Sequence, residues 1–111
     1  MADSPNSILR DLERVIAARR LERPTKSYVV QLLDGGVAKI AAKLDEELGE
    51  LVAAANEAPS TRTPHMVHEA ADVLFHLLVL LGSTDLAWTD VEAELSRRFG
   101  IGGLVEKASR T

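Results

Sequence analysis

Not one cysteine occurs in the 111-residue chain. Disulfides, thiolate metal sites and cysteine nucleophiles are thereby excluded, and a reducing cytoplasm is the expected setting. Cations are in deficit too: 13 Lys and Arg stand against 17 Asp and Glu, a formal net charge of −4. Nucleic-acid backbones are bound by a surplus of Lys and Arg, so no nucleic-acid partner is expected. The longest apolar stretch, Val73 to Leu81, is interrupted by His76 and falls well short of the roughly 20 residues of a membrane span. The opening Met-Ala-Asp-Ser-Pro has an early acid and no apolar run, so neither a signal peptide nor a membrane partner is expected. Strand-like alternation and internal repeats are missing as well, which leaves an all-α chain.

What is present fits a soluble globular domain: 46% hydrophobic and 27% charged residues. Residues 1–111 are expected to form a single domain with a modest core. Ile8, Leu9, Leu12, Val15 and Ile16 recur at spacings of three and four, which predicts a first amphipathic helix over 8–20. A second begins near Ser27, is interrupted at Gly35-Gly36 and resumes to about Ala58, with Val37, Ile40, Leu44, Leu48, Leu51, Val52 and Ala55 on one face. Ala58 to Thr63 reads as a linker. Thr63 and Pro64 then suit an N-cap and a first helical residue, opening a helix that stops near Gly82-Ser83. Thr89 and Glu92 have the spacing of a capping box and predict a short helix to Phe99. The expectation is a bundle of four to five helices.

Two of these helices carry chemistry. On the long second helix, Lys39, Lys43, Glu46, Glu47, Glu50 and Glu57 share a polar side. Alone, this is the ordinary pattern of a solvated face paired with lysines. Glu47 lies nearest the apolar face and Glu50 follows one turn on, so these two are the better metal-ligand candidates; Glu46, on the more open side, suits water orientation or a base. The helix after Pro64 is apolar around most of its circumference, which predicts burial in a bundle or a dimer. One narrow stripe breaks that surface: His65, Glu69, Asp72 and His76, with His68 beside it. Buried carboxylates without partners are expensive, so Glu69 and Asp72 must meet cations or neutral groups. His76 fits a hydrogen-bonded core histidine as well as a substrate contact. Carboxylates from two helices, with few nitrogen donors and no thiolate, favour magnesium, with manganese possible, over zinc. Such an ion neutralises a polyphosphate and activates water for in-line attack.

Glu46-Glu47-x-x-Glu50 followed by Glu69-x-x-Asp72 resembles the signature of the MazG-like all-α nucleoside triphosphate pyrophosphohydrolases. Ser27-Tyr28, Lys39-Ile40, His76-Leu77-Leu78, Glu94-Leu95 with Arg97-Arg98, and Glu106-Lys107-Ala108-Ser109-Arg110 resemble more narrowly the phosphoribosyl-ATP pyrophosphohydrolase family of histidine biosynthesis. That resemblance covers nearly the whole chain. It implies a magnesium-dependent homodimer that releases pyrophosphate from phosphoribosyl-ATP, with a separate cyclohydrolase acting next. Glu47, Glu50, Glu69 and Asp72 are then the expected metal ligands, and Glu46 and Glu50 the catalytic carboxylates. Lys39, Lys43, His76, Lys107 and Arg110 are expected at the substrate, with Arg19 or Arg20 as helpers. Two positions depart from the family pattern: Asp45 stands where glycine is usual, and Gly102 where serine is usual. Two other functions fit the same carboxylates: house-cleaning hydrolysis of other nucleoside triphosphates, and a non-catalytic dimerisation module whose acids pair across an interface.

Overall fold

A computed structural model describes residues 7–100. Four α-helices follow one another: α1 (Ser7–Glu22), α2 (Tyr28–Ala55), α3 (Pro59–Ser83) and α4 (Trp88–Phe99). No strand occurs among the described residues, so the fold is the all-α bundle that the periodicity predicts. Lys107, Arg110 and Gly102 lie outside the described residues.

The architecture rests on the pairing of α2 with α3, joined by a three-residue turn and therefore antiparallel. α1 packs across both, and α4 leans on α1. Ile16 of α1, Val29, Leu32 and Ile40 of α2, and Leu78 and Val79 of α3 form one buried cluster. Leu9, Leu12, Phe75 and Trp88 pack around it. Polar ties fix the ends. Arg20 donates to the Gly82 carbonyl at 2.6 Å and to Asp85 at 2.7 Å, and the Glu13 carboxylate accepts from the Trp88 N–H at the start of α4.

Four boundaries and faces differ from the sequence-based expectation. α3 begins at Pro59, so Thr63 is not its N-cap and Pro64 lies inside the helix. Pro59 brings a preset φ to the first helical position, and the Ala58 carbonyl accepts from both Thr61 and Arg62, at 3.0 and 2.9 Å. Pro64 then removes one bond to Ser60, an exposed residue whose carbonyl water can serve. The linker shrinks accordingly, and α2 ends at Ala55 with Asn56 as its cap. At α4 the N-cap is Ala87, not Thr89: the Asp90 carboxylate accepts from the Ala87 N–H at 2.9 Å, while Glu92 turns to Arg10 at 2.6 Å. α2 buries Ile40, Glu47 and Ala54 rather than the whole apolar face; Val37, Leu48 and Val52 stay exposed because α3 covers only one side. Finally, α3 has the length and apolar content to cross a membrane. Buried Glu69, His76, Leu78 and Val79, however, make it the core helix here.

Gly36 matters most for the site. It adopts φ 77°, ψ −176° inside α2, a combination essentially confined to glycine. The helix changes direction there, as the Gly35-Gly36 pair predicts, and the first turn of α2 is thereby turned toward the middle of α3.

Candidate metal and active site

Beyond the apolar cluster, the α2–α3 pair closes on carboxylates. Glu47 occupies a position in the buried stripe of α2, seven residues after Ile40, and is 8% exposed; Glu69 on α3 is 6% exposed. Ligand oxygens of Glu47, Glu50 and Glu69 lie within 4.8 Å of one another. Asp72 joins Glu69 and His68 in an adjoining group of the same tightness. Oε1 of Glu47 and Oε1 of Glu69 are buried without any hydrogen-bond partner. An unpaired buried carboxylate oxygen is costly, so this arrangement calls for a cation. Three or four oxygens from two rigid helices, with one exposed imidazole beside them, are the donor set of a hard divalent ion.

The electrostatics agree. Burial first, and then the charge of Glu50, contact with Glu69 and the charge of Asp72, push the Glu47 carboxyl up to about 7. Glu50 is also raised, chiefly by its contact with Glu69. Two carboxyl groups hydrogen-bond each other only when they share a proton, so each raised value records the repulsion that a divalent ion relieves. Glu46 faces outward instead and accepts from Lys43 at 3.1 Å, which is the main cause of the raised lysine pKa.

Around this centre, Lys43 sits close enough to the Tyr28 hydroxyl to be influenced by it. That proximity spans fifteen positions of α2 and depends on the change of direction at Gly36. Tyr28 stacks on Phe75 with ring centroids 5.9 Å apart, and its hydroxyl meets His76 Nε2 at 2.9 Å. His76 Nδ1 lies 2.9 Å from the Asp72 carbonyl. A carbonyl only accepts, so Nδ1 carries the proton and, in the neutral ring, Tyr28 donates to Nε2. His76 is 4% exposed with both nitrogens engaged inside the protein. It supports the turn of α3 that carries Asp72.

Lys39 projects from the exposed side of α2, over Gly35. Two residues named in the sequence motifs without an assigned role also reach the site, Tyr28 of the Ser27-Tyr28 match and His65 of the acidic stripe. The position of Tyr28 depends on the backbone at Gly36. His65 contacts Glu57 at 2.5 Å and Glu69 at 3.2 Å; Glu57 is the first cause of its raised pKa. The i,i+4 spacing of His65 and Glu69 was the available signal, and the antiparallel register that brings in Glu57 was not visible.

Fold and site together define an all-α protein whose two longest helices present a carboxylate centre suited to a divalent cation. Residues 9–99 match the family described as phosphoribosyl-ATP pyrophosphohydrolase, and the chain belongs to that family. It is therefore a hydrolase. Among its relatives is the phosphoribosyl-ATP pyrophosphatase of Novosphingobium aromaticivorans, 49% identical over 104 residues that cover 94% of each chain. That of Neisseria meningitidis serogroup B is 46% identical over 107 residues, 96% of each chain. That of Hydrogenovibrio crunogenus is 43% identical over 107 residues, 96% of this chain and 95% of its own.

Proposed function

We propose that this protein hydrolyses phosphoribosyl-ATP to phosphoribosyl-AMP and pyrophosphate in histidine biosynthesis, with magnesium, or manganese in its place, at the carboxylate centre. The observation that carries the reading is the pair of buried, unpartnered oxygens on Glu47 and Glu69 beside Glu50. Glu47, Glu50, Glu69 and Asp72 would hold the ion. When bound, it supplies charge neutralisation on the phosphate oxygens and acidifies a water. The chain's own groups do the rest. Lys43, paired with Glu46 at 3.1 Å, and Lys39 lie on the same side of α2 and meet phosphate oxygens. Glu46 or Glu50 takes the proton as water oxygen bonds to the α-phosphorus and the anhydride bond to the β-phosphate breaks, pyrophosphate leaving with the bond's electron pair. Lys107 and Arg110 are the remaining phosphate-binding candidates.

The names of the relatives favour phosphoribosyl-ATP over the substrates of a house-cleaning enzyme. The unpartnered oxygens are enclosed within one chain, a placement that serves an ion held between α2 and α3 better than acids pairing across an interface. Assembly as a homodimer is part of the proposal: Val37, Val52 and Val67 are 54–65% exposed on α2 and α3, an apolar surface that a second copy would cover. A cytoplasmic setting accords with the absence of cysteine. The decisive experiment follows pyrophosphate release from phosphoribosyl-ATP with and without magnesium, beside dUTP and ATP. Preference for dUTP or another ordinary triphosphate would overturn the assignment, as would release that persists after complete metal removal.

A further inference from the structure

Phosphoribosyl-ATP differs from ATP by a second anionic end, a sugar phosphate carried on the base. A site that discriminates the two must offer cations away from the carboxylate centre. Most cations among the described residues are already committed: Arg10 to Glu92, Arg14 to Asp11, Arg20 to Asp85, Arg23 to Asp34, Lys43 to Glu46, and Arg97 and Arg98 to Glu94. Arg19, Lys26, Lys39 and Arg62 are in none of these pairs, and of the four Arg19 and Lys26 line one open cavity of about 450 Å3 between the end of α1 and the start of α2. Its other walls include the Thr25 and Ser27 hydroxyl-bearing residues and the stacked rings of Tyr28 and Phe75. Volume and lining match a nucleotide fragment: apolar rings with a few polar groups at one end. The cavity also adjoins the catalytic centre through three residues in direct contact, because Tyr28 bonds His76 and His76 bonds the Asp72 carbonyl.

We infer that this cavity takes the phosphoribosyl arm of the substrate, with Arg19 and Lys26 on its phosphate, and so sets the preference for phosphoribosyl-ATP over ATP. The inference rests on the proposed function. Arg19 and Lys26 are both exposed, so replacing them leaves the core untouched. The test is the Arg19→Gln, Lys26→Gln double variant, assayed with phosphoribosyl-ATP as substrate and ATP as competing inhibitor, with magnesium affinity read separately by calorimetry. Losing charge-assisted contacts of this kind weakens binding by about tenfold each. The KM for phosphoribosyl-ATP is therefore expected to rise at least tenfold. The ATP inhibition constant and magnesium affinity should stay within about twofold, and Arg19→Lys with Lys26→Arg should restore most of the loss. Equal weakening of ATP and phosphoribosyl-ATP would overturn the inference by assigning the cations to the triphosphate or to the general field. An unchanged KM would remove the cavity from substrate binding. In both cases an active native chain leaves the proposed function standing, whereas a native chain inert toward phosphoribosyl-ATP would reject that function itself.

Discussion

The two ends of the α2–α3 pair are built from the same helices at similar burial, yet they are filled in opposite ways. At one end Leu32, Ile40, Leu78 and Val79 are 0–2% exposed and purely apolar. At the other, Glu47 and Glu69 are nearly as deep and leave carboxylate oxygens unpartnered. The first arrangement lowers the free energy of the folded state by removing apolar surface from water. The second raises it. A chain that keeps such a centre is stabilised at one end so that the other can remain strained until a cation arrives, and each end should answer to a different measurement.

The largest effect should come from breaking the carboxylate end. Glu69→Gln keeps the shape and removes the charge, so pyrophosphate release should fall roughly 100-fold or more, beyond the 10- to 100-fold typical of groups that merely support a metal ligand. Metal-free stability in urea should not fall, because a buried charge has been replaced by a neutral amide. Retention of full magnesium-dependent activity in Glu69→Gln would remove this residue from the centre. Leu78→Ala breaks the other end: about 2–5 kcal/mol of stability should be lost to the vacated volume. Magnesium affinity of the folded variant, measured by calorimetry, should stay near that of the native chain. A large affinity change would mean that the two ends are mechanically coupled.

This division was partly legible before any coordinates. Apolar residues at period 3.6 located α1, the body of α2 and the body of α3, because packing against a core imposes that period directly on the sequence. Glu69 and Asp72 stood out for a related reason, as acids in an otherwise apolar helix. Local chemistry was read less well. Thr63-Pro64 and Thr89 look like helix starts, but Pro59 and Asp90 offer equivalent starts nearby, and only the packing of the helices chooses between them. Which part of α2's broad apolar face is covered depends on how far α3 reaches. Neither Tyr28 nor Glu57 carries a local mark of the site, since each arrives by a tertiary event, the turn at Gly36 for one and the antiparallel register for the other.

Gly36 joins the two ends, and it supplies a sharper comparison. Its φ of 77° with an extended ψ is strained for any residue with a Cβ, although nothing lies within 4 Å of a Cβ added there. Gly36→Ala should therefore destabilise the protein by about 1–3 kcal/mol through backbone strain alone. It should also loosen the contact of Tyr28 with His76. A rise in KM for phosphoribosyl-ATP at unchanged magnesium affinity is the expected signature, read in the same assays. If stability falls and KM does not move, the turn at Gly36 serves packing only.

The smallest effect is a pH dependence that belongs to the carboxylate end alone. Glu47 titrates near 4.5 in an unfolded chain and at about 7 in the folded one, so between those values the folded state holds a proton that the unfolded state has released. Stability of the metal-free protein must then decline as pH rises through that window and level off above it. His65 adds a decline of the same sign: its imidazolium, favoured by Glu57, contributes below its ordinary 6.5 and is lost as pH climbs past its raised value. Glu50, also raised and chiefly by its contact with Glu69, adds to the lower part of the slope, so Glu47→Gln should shrink that part and leave the upper. Magnesium should oppose the trend, because the ion binds the ionised carboxylates and its affinity grows as they lose protons. Urea midpoints at pH 5 and pH 8, with and without magnesium, test both statements. A metal-free midpoint that rises toward pH 8 would show that Glu47 is not held protonated by burial and its neighbours.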